Sequence, residues 1–161
     1  MTNVARALRE KPEVFKKVAE VVWMGGALDH PGNTSASAEF NCFADPYAAD
    51  EVLSAVRDGS FRLTMAPLDI TTPHTIPFDD LIHENAETPL RAFSTAMLRR
   101  VRKVQASFGL SDAMEMHDPL AVWYAIATSH GEAQGWQMQS RDFAIERVGE
   151  LTRGMCVVDR R

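Results

Sequence analysis

The chain has 161 residues, of which 45% are hydrophobic and 24% charged. That balance excludes a disordered or fibrous chain and suits one domain of roughly 100 to 200 residues. A formal charge of −5 and a pI near 5.5 exclude a general nucleic-acid surface, which needs clustered Lys and Arg in excess.

The first element expected is a short helix over Leu8 to Val18, where apolar residues recur at helical spacing and Pro12 stands at a helix start. Val18 to Met24 is short, β-branched and apolar and ends in Gly25-Gly26, so it reads as a buried strand followed by a tight turn. Asp29 to Asn41, rich in Gly, Pro, Ser, Thr and Asn, reads as a loop. Asp45-Pro46 supplies an N-cap acceptor and a first-turn proline, and predicts a helix of about four turns up to the glycine stop at Gly59. Phe61, Leu63 and Met65 alternate as a second strand with a polar exit at Pro67 to Thr72. From Phe78 to Phe108 the pattern is helical with a break near Pro89, and Arg99, Arg100, Arg102 and Lys103 within it read as a solvated basic face.

His117-Asp118-Pro119 repeats the Asp-Pro helix start, and the following LAVWYAIA is apolar on nearly every side, as in a buried helix. Asp142 to Glu146 and Met155 to Val158 are two further strand candidates. Strands alternating with helices predict an α/β fold with a mostly parallel, Rossmann-like open sheet flanked by helices. In such sheets ligands bind beyond the carboxyl ends of strands, which points to the polar segments after Met24 and after Leu68. Cys42 and Cys156 stand in no metal-knuckle or redox spacing and suggest a reducing compartment. The start MTNVARALREK has no signal-peptide core, and no window approaches the roughly 20 apolar residues of a membrane span. A cytoplasmic protein with neither a membrane nor a nucleic-acid partner is expected.

Within the first polar loop, Asn33, Glu39 and Asn41 offer two carboxamides and a carboxylate, a set suited to a polyhydroxylated ligand such as a ribose. The same residue types also satisfy turn backbone, so the loop by itself leaves both readings open. His117 beside Asp118 pairs a group that titrates near neutrality with a metal-capable carboxylate. Asp118 has a competing duty as a helix cap, as Asp45 does. His30, His74, His83 and His130 form no usable pattern and read as surface residues.

Taken together, the run V-V-W-M-G-G from Val21 to Gly26, the G-N-x5-E-F-N loop from Gly32 to Asn41, Asp45-Pro46 with Ala48-Ala49, Leu68-Asp69-Ile70-Thr71 and His117-Asp118-Pro119-Leu120-Ala121 resemble, in this order, the inosine/uridine-preferring nucleoside hydrolases. The resemblance covers the chain from about Ala5 to Arg161. It implies hydrolysis of the N-glycosidic bond of ribonucleosides with a bound calcium ion that holds and activates water, and a family habit of homo-oligomers. Carried over by position, Asn33, Glu39 and Asn41 resemble the ribose-binding set, and Met24 a wall of the sugar pocket, although a methionine at a strand end equally suits the core. Asp118 resembles a calcium ligand and His117 the residue that protonates the departing base. Ala36 stands where many members have proline.

The resemblance also sets an expectation about what this chain lacks. Family members begin with a strand ending in a D-x-D-x-x-x-D-D loop, and residues 1 to 20 hold no match to it. The expectation is therefore a single partial domain over residues 1–161, cut at both ends, with weak or no hydrolase activity of its own. The alternative is a non-catalytic nucleoside- or ribose-binding module, or a structural remnant. In either case Asn33, Glu39, Asn41 and Asp118 are expected to converge on one hollow.

Overall fold

A computed structural model describes residues 1–159 apart from residues 86 and 133. Position 86, inside the helical stretch expected over Phe78 to Phe108, and the final Arg160-Arg161 lie outside the described residues. These residues divide into two compact units, one comprising Met1–Thr71 and the segment from His117 onward, the other Thr72–Met116.

The first unit opens with α1 (Thr2–Glu10) and α2 (Pro12–Phe15), so the helix expected from Leu8 begins six residues earlier and is split. Proline has no N–H to donate and its ring disfavours a helical residue before it, and Lys11 accordingly leaves helical geometry at φ −145°. β1 (Val21–Met24) follows. It pairs in parallel with β2 (Leu63–Ala66), in the register Val21↔Leu63 to Met24↔Ala66. Only Trp23 of β1 is buried, a difference from the buried strand expected there. Between the two strands run α3 (Phe40–Ala44) and α4 (Pro46–Arg57). α4 begins as its Asp-Pro signal predicts, with the Asp45 carboxylate accepting from the Ala48 N–H at 3.1 Å.

α4 divides the core. Its Ala48 and Val52 pack with Ala5, Phe15 and Phe61, and the Phe15 and Phe61 rings lie 5.0 Å apart. Its Ala49 and Leu53 pack instead with Trp23, Cys42, Ile145 and Cys156. Positions four apart share a helix face, so the two pairs mark two neighbouring stripes. Ile145 and Cys156 come from an antiparallel pair formed by β5 (Phe143–Ile145) and β6 (Cys156–Val158).

Two further helices complete this unit. α5 (Leu68–Thr71) follows β2, and α8 (His117–Ser129) lies against β1 and β2. The expectation that α8 is buried on nearly every side is not met. Leu120, Ala121, Tyr124 and Ala127 form its buried stripe, whereas Val122, Trp123 and Ile126 are more than half exposed. One helix face is all that two short strands can cover.

In the second unit β3 (Thr75–Pro77) pairs antiparallel with β4 (Ala113–Glu115) and encloses α6 (Phe78–Leu81) and α7 (Pro89–Ser107). The helical break is where Pro89 predicts it. The basic face of α7 is not wholly solvated: Arg99 meets Glu84 at 2.7 Å, and Arg102 joins Asp79 at 2.8 Å to Asp112 beside the buried Phe78 ring. Those two carboxylates push the Arg102 guanidinium's pKa up. The described residues thus hold three two-stranded sheets, of which β1–β2 is parallel and the others antiparallel.

Candidate active site

Because β1 and β2 run parallel, their carboxyl ends share one edge, and the two polar segments singled out in the sequence leave from that edge. The Leu68 N–H donates to the Gly26 carbonyl at 2.9 Å, which extends the register past both strands. Asp69 then reaches across to the segment after β1. Its carboxylate accepts from the N–H groups of Leu28 at 2.9 Å, Asp29 at 2.6 Å and His30 at 3.1 Å. Asp69 stands in the Leu68-Asp69-Ile70-Thr71 motif, whose residues alone do not reveal this role. An aspartate at a strand exit is common, and the one signal of its duty was the polar run it faces across the sheet edge.

Glu39 is the anchor of the loop. It is 2% exposed, caps α3, and accepts from the N–H groups of Gly26 at 2.7 Å and Cys42 at 3.1 Å with Oε2 and of Asn41 at 2.8 Å with Oε1. A buried carboxylate needs such donors, and three backbone N–H groups supply them. Gly26 can present its N–H here because it turns with φ +78°, a conformation that favours glycine. The loop expected to reach Asn41 therefore ends at Glu39, where the cap starts a helix that the Asn- and Ser-rich composition concealed.

Asn41, in the first turn of α3, donates from Nδ2 to the Met24 carbonyl at 3.1 Å and lies 3.4 Å from the Met24 sulfur. Met24, Asn41 and Asp118 line a common hollow of about 430 Å³, together with residues of β1 and Met1 to Val4. Asp118, in the first turn of α8, is exposed there. His117 is half-buried, and its Nδ1 lies 2.8 Å from the hydroxyl of fully buried Thr71. Asn33 sits on the outer turn of the loop, where its Oδ1 accepts from the Phe40 N–H at 2.9 Å and the Thr34 hydroxyl at 3.4 Å.

The structure therefore brings Met24, Asn41 and Asp118 to one surface, with Glu39 behind Asn41, His117 next to Asp118 along α8, and Asn33 closing the loop. Asn33 and Glu39 do not line the hollow themselves. Carboxamide, carboxylate, carbonyl and thioether together suit a ligand with several hydroxyl groups and one apolar face. A calcium ion fits less well. It takes about 6 to 8 oxygen ligands, and among the described residues no group of three or more His, Cys, Asp or Glu could hold a metal.

Fold and site together describe an α/β protein with a hollow along β1 that Met24, Asn41 and Asp118 line. The sequence profile of the inosine-uridine preferring nucleoside hydrolases matches residues 1–161, and the chain belongs to that family. It is 36% identical over 161 residues to an inosine-uridine preferring nucleoside hydrolase of Crithidia fasciculata, covering 99% of this chain and 48% of that protein. Among solved structures, an inosine-guanosine nucleoside hydrolase superposes with a TM-score of 0.81 at 25% identity. A purine-preferring ribonucleoside hydrolase from Gardnerella vaginalis superposes with a TM-score of 0.75 at 29% identity. Each structural match covers 99% of this chain and 48% of the other. The chain thus has the nucleoside hydrolase fold in part, and spans about half the length of the relatives it matches. No helix among the described residues is long and apolar enough to cross a membrane.

Proposed function

We propose that this chain forms the sugar-facing wall of a ribonucleoside N-ribosidase site. The observation that carries the reading is the meeting of Met24, Asn41 and Asp118 in one hollow that runs along β1 to its carboxyl end. Asn41, oriented by Met24 and by the Glu39 anchor, takes a ribose hydroxyl, with Glu39 and Asn33 holding the loop to the sugar. Met24 covers the apolar face of the ring. Cleavage of a ribosidic bond passes through an oxocarbenium-like state, so the Asp118 carboxylate stabilises the developing positive charge. The bond electrons leave with the base nitrogen, and His117, oriented through Nδ1 by Thr71, supplies the proton that the departing base requires. Asp118 is also the oxygen ligand this chain offers to a calcium ion. The other ligands such an ion needs are not assembled among its described residues. A cytoplasmic setting, to which the number and spacing of the two cysteines point, and a homo-oligomer belong to the same reading.

Titration of the purified chain with inosine and with uridine, with and without calcium, tests this. Saturable binding that Asn41→Ala and Asp118→Ala each weaken at least about tenfold, or about 1.4 kcal/mol, supports the sugar site. Absence of binding, or binding that neither substitution changes, overturns it. Turnover is read in parallel as release of reducing sugar. The chain alone is expected to release none, and calcium-dependent turnover would show that its own residues complete the site.

A further inference from the structure

Behind the Glu39 anchor lie the two cysteines of the chain, side by side. Cys42 of α3 and Cys156 of β6 are 114 positions apart in sequence, yet their sulfurs approach to 3.9 Å, at 0% and 3% exposure. Each belongs to a segment that holds the site loop. The Cys42 N–H donates to Glu39 at 3.1 Å, and Cys156 follows Met155, which bridges to Ala38. Gly26 packs against them, since a Cβ at that position would stand 2.0 Å from the Met65 methyl and 3.0 Å from the Cys156 sulfur. As a pair of small apolar residues these would be ordinary core. What sets them apart is that two thiols face each other across a joint between the site loop and the C-terminal strand, at a separation that about 2 Å of closure turns into a covalent bond.

We propose that Cys42 and Cys156 are a redox pair that forms an intramolecular disulfide under peroxide, locking the Glu39 loop to β6. The pair is already polarised for it. The hydrogen bond between the two sulfurs, with burial near the Glu39 carboxylate, pushes the Cys42 pKa up, while the same bond and the Ala27 N–H draw the Cys156 pKa down. The Cys156 thiolate attacks one oxygen of hydrogen peroxide, breaking the O–O bond to give Cys156 sulfenic acid and hydroxide. Cys42 then attacks the Cys156 sulfur through its own, the S–S bond forms, and the sulfenic oxygen leaves with the Cys42 proton as water. Two thiols lose two electrons and two protons, and one peroxide becomes two waters once hydroxide has taken the proton first lost by Cys156. Access to the buried sulfurs requires local opening of the three-residue β5–β6 pair, a motion well short of global unfolding. Dithiothreitol reverses the step by thiol–disulfide exchange.

The test is a peptide map of the whole 161-residue protein after treatment with one equivalent of hydrogen peroxide, alkylation of remaining thiols and tryptic digestion without reductant. The expected product is the peptide 18–57 joined to 154–160, with intact mass lower by about 2 Da and full return to two alkylated thiols after dithiothreitol. In parallel the oxidised protein is expected to unfold at higher urea than the reduced one, because the bond closes a loop of more than 100 residues. Cys156→Ser is expected to leave Cys42 unoxidised at the same peroxide dose. Persistence of two free thiols, irreversible sulfinic acid, or disulfide-linked dimers in place of the joined peptide would each overturn the proposal. A joined peptide with no gain in urea midpoint would overturn the lock.

Discussion

Glu39 and Gly26 face each other across the edge of the parallel strands, the carboxylate accepting the glycine N–H at 2.7 Å. Both are buried, so this contact fixes the place where the site loop leaves β1. Glu39→Ala would leave the Gly26, Asn41 and Cys42 N–H groups without their acceptor. A buried hydrogen bond to a charged group is worth about 1.5 to 3 kcal/mol, and a helix cap about 1. The expected loss is at least about 2 kcal/mol, read from the shift in urea midpoint. Glu39→Gln, which keeps one acceptor oxygen, is expected to fall between wild type and alanine.

Asn41→Asp reverses the polarity of one atom. The Asn41 amide donates to the Met24 carbonyl at 3.1 Å, whereas an aspartate would set two acceptors against each other and add a negative charge to the hollow that Asp118 lines. A stability cost of about 1 to 2 kcal/mol is expected, together with loss of ribonucleoside binding. Calorimetric titration checks the second outcome and urea unfolding the first; unchanged binding would remove Asn41 from the site.

At acid pH the weak point is Asp45. Its carboxylate accepts from the Thr2 hydroxyl at 2.6 Å and from the Ala48 N–H, and these bonds hold its pKa below the ordinary 3.8. A carboxyl group depressed in the folded state binds protons more readily when unfolded. It therefore contributes stability at pH values above about 4, and that contribution is lost as pH falls through the lower folded value. Asp45→Asn, which still caps α4, is expected to flatten this part of the stability profile between about pH 4 and pH 2. Thermal midpoints measured across that range decide it, and an equal acid slope in both proteins would refute the assignment.

The two faces of α8 should respond in opposite ways. Leu120→Ala removes a residue only 4% exposed and is expected to cost about 2 to 5 kcal/mol. Ile126→Gln changes a residue 52% exposed and is expected to stay within about 0.5 kcal/mol of wild type. A large loss from Ile126→Gln, read by urea unfolding, would mean that the outer face is covered in solution.

Several of these features were legible in the residues themselves. Asp45-Pro46 announced its helix because cap and first-turn proline act locally, and Pro89 broke the long helical stretch for the same reason. The ends of β1 and β2 were legible from apolar runs stopped by Gly25-Gly26 and by Pro67. Of Asn33, Glu39, Asn41 and Asp118, expected to converge on one hollow, only Asn41 and Asp118 line it, because Asn33 and Glu39 are spent on the loop's own backbone. What stayed hidden depended on partners distant in sequence. Glu39 starts α3 through N–H groups that include one 13 residues away at Gly26, and Asp69 binds backbone some 40 residues back. The outer face of α8 was misread because apolar composition records what a helix could bury, whereas exposure depends on how much neighbouring structure reaches it.

The position of α4 between two apolar clusters sets the thickness of the first unit. On the side of α1 the contact is made by Ala48 and Val52, and on the side of Trp23 by Ala49 and Leu53. Alanine therefore enters both contacts, beside the larger Leu53 on one side and Val52 on the other. A bulkier residue at Ala49, which is fully buried, would shift the helix toward the N-terminus of the chain and carry its Asp45 cap and the adjoining α3 with it. The reach of the Asn41 wall of the hollow thus depends on small side chains of α4 that do not themselves line it.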